Sequence, residues 1–180
     1  MRVLITGHKG ALGTYLSHHF GKVTGISRPE CDLLNFNAVY DKIRFSEPQI
    51  IYHLASDANV REAFDKPQEV FSNNTTGTIN LFEAVRKAKI RPLIVLASSS
   101  EVYGNPEVSP IKEDFPISPN NPYAVSKASQ DLLAQMYAGY GMKVVIIRGF
   151  SYVNPLRQDL ALSSFARQIV AIEHGRQSYI

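Results

Sequence analysis

The chain has a single cysteine, Cys31, among its 180 residues, so no disulfide forms within it and a reducing compartment suits it. It has no apolar run near the ~20 residues that a membrane helix needs; stretches such as Leu93 to Ala97 are typical of its longest. Arg2 to Thr6 is too short for the apolar part of a secretory signal and leads straight into a glycine turn. Low-complexity tracts and repeats with a period of ~20–50 residues are missing as well. The basic residues are scattered and form no stripe, which argues against a nucleic-acid partner. The expectation is a cytoplasmic chain with no membrane segment and no metal site.

What is present suits one core-forming domain. Of the residues, 44% are hydrophobic, and the length falls within the usual ~100–200 residues per domain. The net charge of +3 and the pI of about 9.0 favour anionic ligands such as nucleotide phosphates.

Short apolar runs alternate with helical patterns. Strands are expected at residues 2–6, 23–27, 49–55, 92–98 and 143–148. Helices are expected at 11–20, 37–44, 59–65, 69–89, 122–140 and 160–173. This alternation predicts an α/β fold, a doubly wound parallel sheet covered on both faces. Residues 104–121 hold Pro106, Pro110, Pro116 and Pro119 without periodicity and read as a long surface loop.

Two local patterns carry chemistry. After the first strand comes Thr6-Gly7-His8-Lys9-Gly10-Ala11-Leu12-Gly13. Gly7 permits a tight turn, Gly10 a close approach to a diphosphate, and Gly13 close packing of helix on strand. The helix N-terminus that follows offers free N–H groups to the anion. The second pattern is Tyr123 and Lys127, four residues apart at the start of a helix and so on one face. A neighbouring cation favours the ionised phenol and equips it to pass a proton near neutral pH. The plainer alternatives are a ligand-free glycine turn and an aromatic ring packed on an aliphatic stem.

Taken together, these segments resemble the extended short-chain dehydrogenases, the epimerase/dehydratase family of nucleotide-sugar enzymes. TGHKGALG resembles their TGxxGxxG, and YAVSK their YxxxK. His53-Leu54-Ala55, the stretch from Asn74 to Leu81, and Ser98-Ser99-Ser100-Glu101-Val102-Tyr103-Gly104 match further segments in the family's order. The 24-residue gap from Ser99 to Tyr123 also suits this branch better than the shorter alcohol and steroid dehydrogenases.

The resemblance implies an NAD(P)-binding Rossmann fold. Ser99, Tyr123 and Lys127 would form the catalytic triad, with Glu101 abstracting a proton in the dehydratases. The cofactor would meet Gly7, His8, Lys9, Gly10, Ala11, Leu12, Gly13, Arg28, Asp32, Leu33, Leu54, Ala55, Ser56, Asn74, Tyr123 and Lys127. NAD-selective members carry an acid at the end of the second strand. This chain has Ser27 and Arg28 there, which suit a 2′-phosphate, so NADP is expected with NAD as the alternative.

The nearest likeness is to the GDP-mannose 4,6-dehydratase and GDP-4-keto-6-deoxymannose reductase branch, acting on a nucleotide sugar as a homodimer. UDP- or dTDP-sugar enzymes and a non-catalytic NAD(P)-binding sensor remain open. Two departures stand out. Ser151 and Asn154 replace the family's Asn and Gly, and the chain stops where the substrate domain would begin. Residues 1–155 are expected to be the cofactor domain with the catalytic residues, and 156–180 a truncated start of the substrate region.

Overall fold

The computed structural model describes residues 1–28, 30–152 and 161–179, apart from the side chain of Ala161. These residues fall into two compact units, Met1–Gly149 and Phe150–Ile180. The expected boundary at 155/156 and Asn154 lie outside the described residues.

In the first unit the elements run β1 (Val3–Thr6), α1 (Ala11–Phe20), β2 (Thr24–Ile26), α2 (Phe36–Ser46), β3 (Ile50–His53), α3 (Val60–Asp65), α4 (Pro67–Ala88), β4 (Leu93–Ala97), α5 (Pro122–Gly139) and β5 (Lys143–Ile147). The second unit contains α6 (Ala161–Glu173). Asparagine side chains start three helices. Asn35, Asn59 and Asn121 accept from the backbone N–H of Ala38, Glu62 and Ala124, and Pro122 occupies the first turn of α5.

The five strands are all parallel, in the order β2-β1-β3-β4-β5. Right-handed crossovers then put α1 on one face and α2, α4 and α5 on the other. That second face holds the core. Leu4, Ile51, Ile94 and Leu96 of the sheet, Val39 and Ile43 of α2, Leu81 and Phe82 of α4, and Ala134 and Tyr137 of α5 are buried together. The Phe82 and Tyr137 rings stack with centroids 4.7 Å apart.

Helices flank the sheet on both faces, as expected, while Val145 and Ile147 of β5 are about half exposed. Burial alternates along β5 because α5 covers only its inner face. One expectation needs correction: the segment after β4 is more than a surface loop. A 3₁₀ turn at Ser100–Tyr103 buries Val102 and Tyr103 with Ala128, and Ile111, Phe115 and Ile117 pack onto them.

Candidate active site

β1 lies between β2 and β3, so the chain leaves it in opposite directions and a crevice opens beyond the carboxyl ends of the strands. The candidate residues follow those ends directly: Gly7 after β1, Ser27 and Arg28 after β2, Leu54 to Asp57 after β3, and Ser98 and Ser99 after β4. The fold therefore gathers them without any long-range coincidence of sequence.

At the glycine turn, Gly7 has φ +70° and donates its N–H to Ile26 O at 2.8 Å. A Cβ on Gly7 would lie 2.9 Å from Ala55 N. A Cβ on Gly13 would lie 2.2 Å from Gly7 O and 2.6 Å from the His8 Cα. Among the described residues no side chain caps α1, unlike α2, α3 and α5, so its first N–H groups have no side-chain acceptor, and its N-cap residue, Gly10, lines the crevice. This cradle fits a diphosphate. Gly13→Ala is expected to push the turn apart and weaken dinucleotide binding at least tenfold by fluorescence titration, because the clash is with backbone that has little room to yield.

Further along, the crevice is lined by Gly7, Lys9, Gly10, Ile26, Ser27, Arg28, Cys31, Asp32, Leu33, Leu34, Leu54, Ala55, Ser56, Asp57, Asn73 and Asn74. His8 turns away and lays its ring against Gly25, where a Cβ would come within 2.5 Å of it. Ala11 is half-buried and Leu12 about 38% exposed. Asn74 is buried; its Oδ1 accepts from Asp57 N at 2.7 Å and its Nδ2 donates to Ser126 Oγ at 2.9 Å. It thus ties the loop after β3 to α5.

Arg28 reaches Asp57 at 3.5 Å, and Asn73 Nδ2 donates to the same carboxylate at 2.7 Å. The sequence shows no acid at the end of β2, yet the structure brings one there. Glu30 accepts from Ser27 Oγ at 2.6 Å and from the Lys9 ammonium. Those two hydrogen bonds hold its carboxyl below the ordinary value, the Lys9 bond foremost.

Lys127 is 3% exposed. Its ammonium donates to Ala97 O at 2.6 Å and Gln130 Oε1 at 2.7 Å, with Ser56 Oγ at 3.5 Å. Ser56 lines the crevice, so the cation stands one residue behind its wall. Burial pushes the ammonium down to about 7, and the Asp131 carboxylate opposes that shift only in part.

Tyr123 is half-buried in the first turn of α5, four residues before Lys127. Ser99 Oγ accepts from Glu101 N at 3.2 Å, and Glu101 Oε2 accepts from Asn121 Nδ2 at 2.9 Å. Asn121 also caps α5, so Ser99, Glu101 and the Tyr123 turn are joined through one asparagine.

The sequence reading missed Glu30, Asp57, Asn73, Gln130 and Asp131. Glu30 and Asp57 follow strand ends and Asn73, Gln130 and Asp131 lie within α4 and α5, but each has a partner 16 or more residues away and none belongs to a motif. Ser151 is exposed.

The sheet order, the glycine turn and the buried lysine define a Rossmann-type α/β unit. A family model described as GDP-mannose 4,6 dehydratase matches residues 19–180. The chain belongs to that NAD(P)-dependent epimerase/dehydratase family. It is 35% identical over 135 residues to a GDP-6-deoxy-D-mannose reductase of Pseudomonas aeruginosa, covering 73% of this chain and 44% of that protein. It is 29% identical over 160 residues to a UDP-glucose 4-epimerase of Mycolicibacterium smegmatis, covering 76% of this chain and 51% of that one. The solved structure of RMD from P. aeruginosa, complexed with NADPH, superposes with a TM-score of 0.86 at 30% identity, over 99% of this chain and 63% of that one. A Thermus thermophilus UDP-glucose 4-epimerase in complex with NAD gives 0.73 at 30% identity, over 82% and 54%. The chain spans about half the length of the curated relatives it matches.

Proposed function

We propose that this chain carries the cofactor-binding and catalytic half of an NAD(P)-dependent nucleotide-sugar enzyme, a GDP-4-keto-6-deoxymannose reductase or a GDP-mannose 4,6-dehydratase. The observation behind this reading is Lys127, a buried cation held beside the crevice wall and on the helix that carries Tyr123. The likeness to the P. aeruginosa reductase supports the GDP-sugar branch.

In this reading, Gly7, Gly10, Gly13 and the first N–H groups of α1 hold the diphosphate. Asp32 and Leu33 meet the adenine. Ser27, Arg28, Lys9 and Glu30 meet its ribose, where Arg28 suits a 2′-phosphate and Glu30 a free 2′-hydroxyl. Leu54, Ala55, Ser56 and Asn74 line the inner end. When bound, NADP or NAD supplies hydride chemistry.

The chain's own residues manage the protons. Tyr123 gives a proton to the sugar oxygen or takes one from it, Lys127 favours the ionised phenol, and Ser99 orients that oxygen. Glu101 serves as the base of a dehydratase. Residues 1–155 would form this unit and 156–180 the start of a sugar-binding region. The exposed Phe71, Val125, Leu132 and Met136 of α4 and α5 would form a homodimer face.

The test is a titration of the full-length protein with NADPH and NADH, then with GDP-, UDP- and dTDP-linked hexoses, the retained ligand being identified by mass. Retention and turnover of a GDP-sugar supports this reading. A UDP- or dTDP-sugar moves the protein to another branch, and dinucleotide binding that ignores every sugar makes it a sensor.

A further inference from the structure

Under the crevice lies a chain of buried polar groups. Ala55 N–H donates to Thr6 Oγ1 at 3.1 Å, and Thr6 Oγ1 stands 2.7 Å from His53 Nδ1. His53 Nε2 stands 2.9 Å from Thr78 Oγ1. With the Thr78 hydroxyl donating to Asn74 O at 2.7 Å, its oxygen is free to accept from His53, an arrangement that makes His53 the neutral Nε2–H tautomer with Nδ1 accepting from Thr6. Burial first, and the Lys127 charge second, push the imidazole down to about 3, consistent with that state.

Gln130 joins this chain to the lysine. It is fully buried, and its Nε2 donates to Thr78 Oγ1 at 2.6 Å and to Asn74 O at 3.1 Å. Both amide protons are thereby used, which turns Oε1 toward Lys127 at 2.7 Å. Among the described residues, Lys127 has one other short acceptor, Ala97 O at 2.6 Å.

We propose that Gln130 is a positioning residue that fixes the Lys127 ammonium against the end of β4 and couples it to the Thr6–His53–Thr78 chain beneath the glycine turn. Among the described residues, the charged and titratable groups near Lys127 are His53 of β3, Tyr123 and Asp131 of its own helix, and, through Asp131, Arg148. His53 is neutral and Asp131 is matched by Arg148. The Gln130 carbonyl is therefore a principal uncharged support for the cation, and removing it disfavours the charged form.

The significance of this geometry for turnover rests on the catalytic role given above to Lys127. The test is accordingly a direct titration of the Lys127 side chain by NMR in full-length protein with ¹³C-labelled lysine, assigned with Lys127→Arg. Gln130→Met, similar in volume but without the amide, is expected to lower the Lys127 pKa by about one unit or more, and Gln130→Glu to raise it. The kcat–pH profile is expected to move with it in both variants. An unmoved Lys127 titration in either folded variant overturns the proposal, and if Gln130→Met does not fold, Gln130→Glu decides alone. If the titration moves while Lys127→Arg keeps wild-type turnover, the positioning role stands and the catalytic reading of Lys127 fails.

Discussion

Tyr123→Phe in the full-length protein is expected to cut turnover of its nucleotide sugar by roughly 10²–10⁴-fold, the usual worth of a positioned general acid or base. Dinucleotide affinity should change little. The hydroxyl is the only group removed, and the ring remains in the first turn of α5, where Pro122 and the Asn121 cap fix the backbone. Single-turnover hydride transfer, followed by nicotinamide absorbance, separates chemistry from binding. Wild-type rates with wild-type binding would remove Tyr123 from the mechanism and Lys127 with it, because the cation's proposed task is to tune that phenol.

Asp131→Ala is expected to have the largest effect on stability. Its carboxylate is fully buried and accepts from Arg148 Nε at 2.8 Å, Arg148 Nη2 at 3.1 Å, Gln135 Nε2 at 2.7 Å and Ser98 Oγ at 2.9 Å. Burial alone would raise this carboxyl, but the hydrogen bonds from Arg148, Gln135 and Ser98 outweigh it and hold the pKa below the ordinary value. Truncation leaves the Arg148 guanidinium without its counter-charge, at a cost of roughly 3 kcal/mol. In a unit of this size that lowers the melting temperature by about 6–12 °C.

The pH dependence has a definite sign. A depressed carboxyl stabilises the fold above its unfolded pKa of about 3.9, and that contribution disappears as pH falls through the lower folded value. The wild type should therefore lose stability below about pH 4 more steeply than Asp131→Ala, as read by urea midpoints. A matched replacement, Asp131→Leu with Arg148→Met, should recover much of the loss, since removing both charges avoids a lone buried cation. An Asp131→Ala variant that melts with the wild type would mean that the pair contributes nothing net.

Much of the fold was legible in the sequence because its strands are buried parallel strands and its helices amphipathic, and both leave strong periodic signals. Each expected strand and helix was found within a few residues of its predicted place. The glycine turn was legible because Gly7 and Gly13 answer local needs, a positive φ and a close backbone contact. The placement of Tyr123 and Lys127 on α5, four residues apart, is likewise local. The acid at the β2 end was not legible, because Glu30 comes four residues after Ile26 and folds back onto Ser27.

By itself, then, the sequence determined which segments form elements and where the glycine turn and the Tyr123–Lys127 spacing fall, since each depends on neighbours within about one helical turn. Only the tertiary structure decided which polar groups share a proton network. Thr6, His53, Thr78, Gln130 and Lys127 come from β1, β3, α4 and α5 and meet only when the crossovers stack those elements. The physical reason is the low-dielectric interior. There each donor must find an acceptor, and distance in space, unlike distance along the chain, selects the partner.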